Sequence, residues 1–476
     1  MNIKQDRPLQ KTMACFLKEI PVHRDQEVEA DIVGIGTDGE GVGKYNGFTL
    51  FIPGALPGER VLAKVLKLKK QYGFARLIQV MGVSPERVDA PCAIFSRCGG
   101  CQLQHLSYEA QLRWKQQLVK DALERIGGLS IEDKGITVRP VIGMTEPWRY
   151  RNKVQIPVGV DGAGDVMTGF YAAGSHEIIE MSHCLIQHEA IDQAMNVVRG
   201  VAQELGIAPY DAATHEGELR HVVFKYGYHT DELMIVLVTR KRHFPSVKEF
   251  VERIRSQLPE VHSIWQNVNE ERTSLVLGEQ MIKLWGNEVI YEMIGSVRYA
   301  ISARSFFQVN PVQTKPLYET VLAYAGLTGK EVVIDAYCGI GTISLYLARH
   351  ARRVLGVELL PDAVADARAN ARLNGIANAD FVVGRAEAVL PAWRAEGIDA
   401  DVIVVDPPRK GCEAALLEAL VAMRPQRIVY VSCNPATLAR DLAVLEVGGF
   451  RTVEVQPVDM FPHTTHVECV VLMSRA

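Results

Sequence analysis

No apolar run in this chain approaches the ~20 residues that span a bilayer, which excludes a helical membrane protein. The start, MNIKQDRPLQKTMACF, lacks the long apolar core of a secretory signal, so the expected compartment is cytoplasmic. Neither charge is in excess: 52 Lys+Arg stand against 56 Asp+Glu, a formal net charge of −4. Taken whole, that mild acidity argues against a nucleic-acid partner. No internal repeat or low-complexity segment stands out. With 48% hydrophobic and 23% charged residues, the composition also excludes a disordered chain, a collagen-like chain and a small disulfide-stapled scaffold. At ~150 residues per domain, 476 residues suggest about three domains.

The charge is unevenly spread. Residues 1–90 hold 13 basic and 11 acidic groups, residues 91–329 hold 24 and 27, and residues 330–476 hold 15 and 18. Within the first segment, Glu59 to Arg87 contains seven basic residues and two acidic ones. This local basic surface reads either as a solvated strand edge, where Lys is common, or as an RNA contact.

Nine cysteines in a long chain without a signal read as thiols or metal ligands rather than disulfides. Three cluster as Cys92-x5-Cys98-Gly-Gly-Cys101. The two glycines let the backbone fold closely around a bound centre. Thiolates at this spacing suit zinc or an iron–sulfur cluster, and spacing alone does not separate them. Cys184, in MSHCLIQH, is the best fourth ligand, with His105 competing.

Residues 1–20 read as a loose tail. Between Glu27 and Val80, short alternating strands broken by glycine predict a small β-barrel, with Lys64, Lys67, Lys69, Lys70 and Arg76 on its later strands. The stretch 107–128 opens with Ser, keeps helical apolar spacing and closes on Gly-Gly, so it reads as a helix. Residues 139–300 mix strand and helix, with a hairpin break at Gly227–Asp231. From Lys330 the pattern becomes regular β-α-β, which predicts a mostly parallel sheet covered by helices on both faces. Ligands of such sheets lie beyond the carboxyl ends of the strands.

The candidate functional residues fall at such ends. The glycine turn Asp335-Ala-Tyr-Cys-Gly-Ile-Gly-Thr342 follows the first strand, and Glu358 closes the second, 23 residues after Asp335. An acid there can accept hydrogen bonds from ribose hydroxyls, which favours a nucleoside-bearing cofactor. The absence of a Walker lysine argues against nucleoside triphosphates. Asp406-Pro-Pro-Arg409 ends the fourth strand as a stiff loop against which a flat group can lie. Cys433 ends the fifth, poised for nucleophilic attack if something lowers its pKa. Glu468 opens the final apolar strand, where a raised pKa suits a general base. His463 and His466 read as loop or core residues. Together these parts fit alkylation at C5 of a pyrimidine: a thiolate on C6 makes C5 nucleophilic, and a base then removes the C5 proton.

SFFQVNP (305–311), DAYCGIGT (335–342), DPPRKG (406–411), SCNP (432–435) and HVEC (466–469) together resemble the RNA uracil-5-methyltransferases. The predicted barrel resembles a TRAM domain, and CxxxxxCGGCQxQH resembles that family's iron–sulfur segment. The resemblance implies an α/β fold: a Rossmann-like methyltransferase domain (301–476), an N-terminal OB-like TRAM barrel (21–80) and an α+β central iron–sulfur domain (81–300), with helix 107–128 packed on the catalytic part. It implies S-adenosyl-L-methionine (AdoMet) contacts from Gln308, Tyr337, Glu358 and Asp406, with Thr342 weaker, Cys433 as nucleophile and Glu468 as base. It implies a [4Fe–4S] cluster on Cys92, Cys98, Cys101 and Cys184, which favours iron–sulfur over zinc and demotes His105. Tyr337 stands where many members have Phe, which keeps an aromatic ring for stacking. The tRNA T-loop branch typically lacks barrel and cluster, so the resemblance points to the branch acting on 23S ribosomal RNA; no obligate protein partner is implied, and a monomer is expected. The competing readings are a tRNA uracil-5-methyltransferase, a 5-methylcytosine RNA enzyme, an amino-group methyltransferase, suggested by Asp-Pro-Pro, and a non-catalytic RNA-binding protein.

Overall fold

The computed structural model describes residues 20–476; the predicted N-terminal tail lies almost wholly outside them. The chain forms two compact units, one ending at Arg87 and one spanning Val88–Ala476. Among the described residues no helix is long and apolar enough to cross a membrane.

The first unit is a closed barrel of five strands, Glu27–Ile35, Gly41–Tyr45, Phe48–Ile52, Arg60–Leu68 and Tyr72–Gly82. The alternation read in the sequence is the alternation of burial: Val28, Ala30 and Ile32 point inward, as do Leu50, Ile52, Val61, Ala63 and Val65. Glu59 is buried and receives Arg87 Nε at 2.5 Å, which ties the segment after the last strand to the barrel.

In the second unit, a seven-stranded sheet carries the helices Glu189–Glu204 and Val247–Gln257 on one face. Its strands Leu219–Gly227 and Glu232–Thr239 form the expected hairpin. Its other face packs Val223, Met234, Val236 and Val238 into the same core as Val333, Val404 and Val429 of the eight-stranded sheet that follows. Apolar packing is therefore continuous across residue 300.

The eight-stranded sheet places Val332–Ala336 between Arg353–Glu358 and Val402–Val405, all parallel. Alternate residues feed opposite cores: Val333, Val404 and Val429 on one face, Ile334, Ile403 and Ile428 on the other. That double burial is why these strands read as unbroken apolar runs. The final strand, Glu468–Arg475, runs antiparallel between Arg427–Ser432 and Phe450–Val458. Its first residue therefore lies at the same sheet edge as the carboxyl ends of the parallel strands. The helix Tyr108–Arg125 packs on the helix Pro435–Val447, with Val119, Ala122 and Leu123 in the second core.

Candidate active site

Two Asn-Pro pairs start the helices that frame the site. Asn310 accepts from Gln313 N at 3.1 Å and Asn434 from Ala436 N at 3.0 Å, each followed by Pro at the first helical position. The side chain satisfies an orphan amide and Pro has none to satisfy, so VNP and CNP are the same capping device.

The glycine turn after Val332–Ala336 is held from below by Glu358. One carboxylate oxygen receives Gly339 N at 3.2 Å, the other Leu360 N at 3.0 Å. Gly341 adopts φ +83, and a Cβ there meets the Phe381 ring at 3.1 Å. Tyr337 is half-buried with φ +72, a conformation costly for a bulky residue and a mark of a site the surroundings enforce. Asp335 is buried, accepts from Ser344 Oγ, and keeps its Oδ1 without a partner. Burial pushes its carboxyl up to about 7. Gln308, just before the Asn310 cap, is buried. Thr342 spends its hydroxyl on Tyr318 (2.8 Å) and its carbonyl on Tyr299 (2.8 Å), so it braces the turn. A turn with an orphaned buried acid oxygen, an aromatic flank and a backbone-held acid fits a nucleoside-bearing ligand.

The end expected to be reactive lies one strand pair away. Ser432 pairs with Cys469, which sets Cys433 across from Glu468. Burial raises the Glu468 carboxyl to about 8; Asp406 adds to the rise and Arg409 opposes it. Burial raises the Cys433 thiol to about 11, helped by Glu468 and Asp406 and again opposed by Arg409. Asp406, itself raised to about 6 by burial, also acts on Asp335, so it stands between the two ends of the site. Arg409 is the residue the sequence reading missed. It is the cation that opposes the rise at both Cys433 and Glu468, and Asn434 Nδ2 and Thr437 Oγ1 anchor its carbonyl at 3.2 Å each. Its Nη2 also contacts His466 Nε2 at 3.2 Å.

Cys92, Cys98, Cys101 and Cys184 line one cavity of about 480 Å³ with Arg151, Lys153 and Arg409, and no carboxylate among its walls. Burial pushes the Cys101 thiol up to about 12 and Cys184 to about 11, and the neighbouring thiols add to the rise. His105 packs on Phe95 and is not among the lining residues. Among the described residues, no three His, Cys, Asp or Glu side chains close into a metal-holding group. The four predicted donors thus line one cavity, but among the described residues they do not close into a group that could hold a metal.

The tRNA (uracil-5-)-methyltransferase family matches residues 183–476, and the TRAM domain matches residues 21–78. The chain belongs to the tRNA (uracil-5-)-methyltransferase family. An uncharacterized RNA methyltransferase of Halalkalibacterium halodurans is 57% identical, covering 96% of this chain and 98% of its own. One from Bacillus cereus is 52% identical over 96% of this chain and 98% of its own. Among solved structures, the Pyrococcus abyssi tRNA (uracil-54, C5)-methyltransferase in complex with S-adenosyl-L-homocysteine matches with a TM-score of 0.73 and 28% identity, covering 94% of this chain and 100% of that one. The parallel sheet is thus an AdoMet-dependent methyltransferase fold, and the barrel is TRAM-like. As a family member, the chain is an AdoMet-dependent RNA methyltransferase of the uracil-5 class.

Proposed function

We propose that this enzyme methylates C5 of a uridine in 23S ribosomal RNA, with Cys433 as nucleophile and Glu468 as base. The observation that supports the C5 chemistry is the placement of Cys433 across the strand pair from Glu468, with Arg409 acting on both. Gln308, Tyr337, Glu358 and Asp406 are assigned to AdoMet, which supplies the methyl group when bound. Cys433 Sγ adds to C6 of the uracil, and the ring's electron pair moves to C5. C5 then bonds the methyl carbon as that carbon's bond to the donor's sulfonium sulfur breaks, the bonding pair staying on sulfur. The Glu468 carboxylate takes the C5 proton, C5=C6 re-forms, and the thiolate leaves.

A second reading, a tRNA substrate, is favoured by one observation: the P. abyssi tRNA enzyme aligns over 94% of this chain, so its likeness extends into the barrel. The barrel by itself does not separate the two substrates. The test is 5-fluorouridine-substituted RNA, because fluorine cannot leave as a proton. With AdoMet present, a covalent protein–RNA species should accumulate on 23S fragments, and Cys433→Ala should abolish it. An adduct on tRNA transcripts alone selects the second reading. No adduct on either, or one that survives Cys433→Ala, sinks the mechanism.

The same reading assigns a [4Fe–4S] cluster to Cys92, Cys98, Cys101 and Cys184. Its support is the donor set: four thiols around one cavity without a competing carboxylate. Anaerobically purified protein should contain about four iron and four acid-labile sulfide per chain; zinc, or no metal, refutes the cluster.

A further inference from the structure

The barrel carries three aromatic rings on its outside. In the strand Phe48–Ile52, Phe48, Leu50 and Ile52 enter the core, whereas Phe51 faces outward with Thr49. In the strand Tyr72–Gly82, Gly73 and Ala75 are buried, whereas Tyr72, Phe74 and Arg76 alternate with them. The two strands pair in parallel, Thr49 with Tyr72 and Phe51 with Phe74, which collects the rings. Phe51 and Phe74 lie 5.8 Å apart and 33° from parallel. Tyr72, 37% exposed, stands nearly perpendicular to both at 5.5 and 5.6 Å. None of the three belongs to the barrel's apolar core.

Cations surround this group. Lys44 reaches across to Thr49 Oγ1 (2.6 Å), Lys67 pairs in register with Phe74, and Lys69 and Lys70 form the turn into Tyr72, where Lys69 N donates to Tyr72 O at 2.8 Å. The barrel's ion pairs are Arg24–Asp25, Arg60–Glu29, Lys64–Asp25 and Arg87–Glu59; among the described residues none engages Lys44, Lys67, Lys69, Lys70 or Arg76. Glu40, on the turn beside Phe51, has its carboxylate held by Asp38 N at 3.0 Å. Flat aromatic faces ringed by cations without a carboxylate partner match a ligand with flat rings and a phosphate per ring. In a duplex those faces are hidden in the stack, so the matching ligand is unpaired.

We propose that Phe51, Tyr72 and Phe74 form a stacking platform for a short unpaired RNA segment, a base lying on the Phe51–Phe74 pair and another against Tyr72. The proposal rests on RNA being this enzyme's substrate and adds which RNA conformation the barrel selects.

The test uses the full-length protein and two probes, an unpaired 12-nucleotide oligoribonucleotide and a 12-base-pair RNA duplex. Leucine at all three positions keeps apolar bulk and removes the rings. Affinity for the unpaired probe should fall by about tenfold or more. The slope of log affinity against log salt should stay unchanged, since every cation facing a phosphate is kept, and duplex affinity should hold. 5-Iodouridine in the unpaired probe should photocrosslink to Phe51, Tyr72 or Phe74 in the wild type. If the triple variant unfolds, Tyr72→Leu, at the most exposed ring, gives the same reading at smaller amplitude. Unchanged affinity, or equal loss for both probes, overturns the platform. The 5-fluorouridine adduct reports on methylation separately: adduct formation with undiminished affinity in the triple variant sinks only the platform. Ring-dependent binding without an adduct sinks only the proposed reaction.

Discussion

In the proposed reaction Glu468 accepts the C5 proton as a carboxylate, yet burial holds its pKa at about 8. A raised carboxyl stabilises the fold when protonated, and that contribution is lost as pH rises through about 8. The form that serves catalysis is therefore the less stable one. Cys433, raised to about 11, faces the same opposition, and Arg409 is the group that eases both. We expect kcat/KM to rise with pH between 6.5 and 9, following deprotonation of the pair. Arg409→Gln should move that limb to higher pH, because the opposing cation is gone. Glu468→Gln should lower turnover by about 10²–10⁴-fold. A flat wild-type profile over this range, or a limb moved to lower pH in Arg409→Gln, excludes the assignment. Arg409 was not legible in the sequence because an Arg after two prolines reads as a surface residue. Only the fold brings its charge to a cysteine 24 positions later.

At the scale of elements, the segment leading to Glu468 is held by partners from far away in sequence. Asp459 O accepts from Gln313 Nε2, Met460 O from Asn310 Nδ2, Phe461 O from Lys115 Nζ, Pro462 O from the Tyr150 hydroxyl, and His463 O from Gln102 N and Leu103 N. Five successive carbonyls are thus engaged, by the cysteine segment, the helix Tyr108–Arg125, Tyr150 and the capped start of Pro311–Ala325. His463, at φ +66, stacks on Trp148 at 3.6 Å. The clamp's centre is a fully buried ion pair, Lys115 Nζ to Asp459 Oδ1 at 2.6 Å, with Tyr108 OH on the other oxygen. Lys115→Met leaves Asp459 buried without its cation and should cost about 3–5 kcal/mol in denaturant unfolding. Adding Asp459→Asn, which removes the charge and keeps an acceptor for Tyr108, should recover much of it. A loss below about 1 kcal/mol for the single variant dismisses the clamp. The helix itself was legible from its spacing. Its packing on the catalytic part was expected too, but the Lys115–Asp459 pair was not, since residues some 340 positions apart that touch leave no periodic trace. The Cys433–Glu468 pairing was hidden for a related reason: chain order does not reveal that the last strand inserts between two earlier ones.

At the scale of the whole molecule, a net charge of −4 describes an average that no surface carries. Acids exceed bases in residues 91–329 and in 330–476, while Glu59 to Arg87 is strongly basic. Several of the catalytic unit's acids are withdrawn from solvent, Asp335 and Glu468 buried and Asp406 in large part. Lys67, Lys69 and Lys70 project from the barrel with no carboxylate partner among the described residues. The RNA therefore meets the barrel's local potential, screened over ~8 Å at physiological salt, rather than the chain's total charge. Replacing Lys67, Lys69 and Lys70 by Gln should weaken RNA binding. It should also reduce the slope of log affinity against log salt by about 2, at ~0.7 for each lysine–phosphate pair removed on unpaired RNA. The ring variants leave that slope alone, so the two sets separate charge from stacking on one barrel face. If neither affinity nor slope changes in the lysine variant, these residues only solvate a strand edge, and the RNA is gripped by cations of the catalytic unit such as Arg151, Lys153 and Arg409.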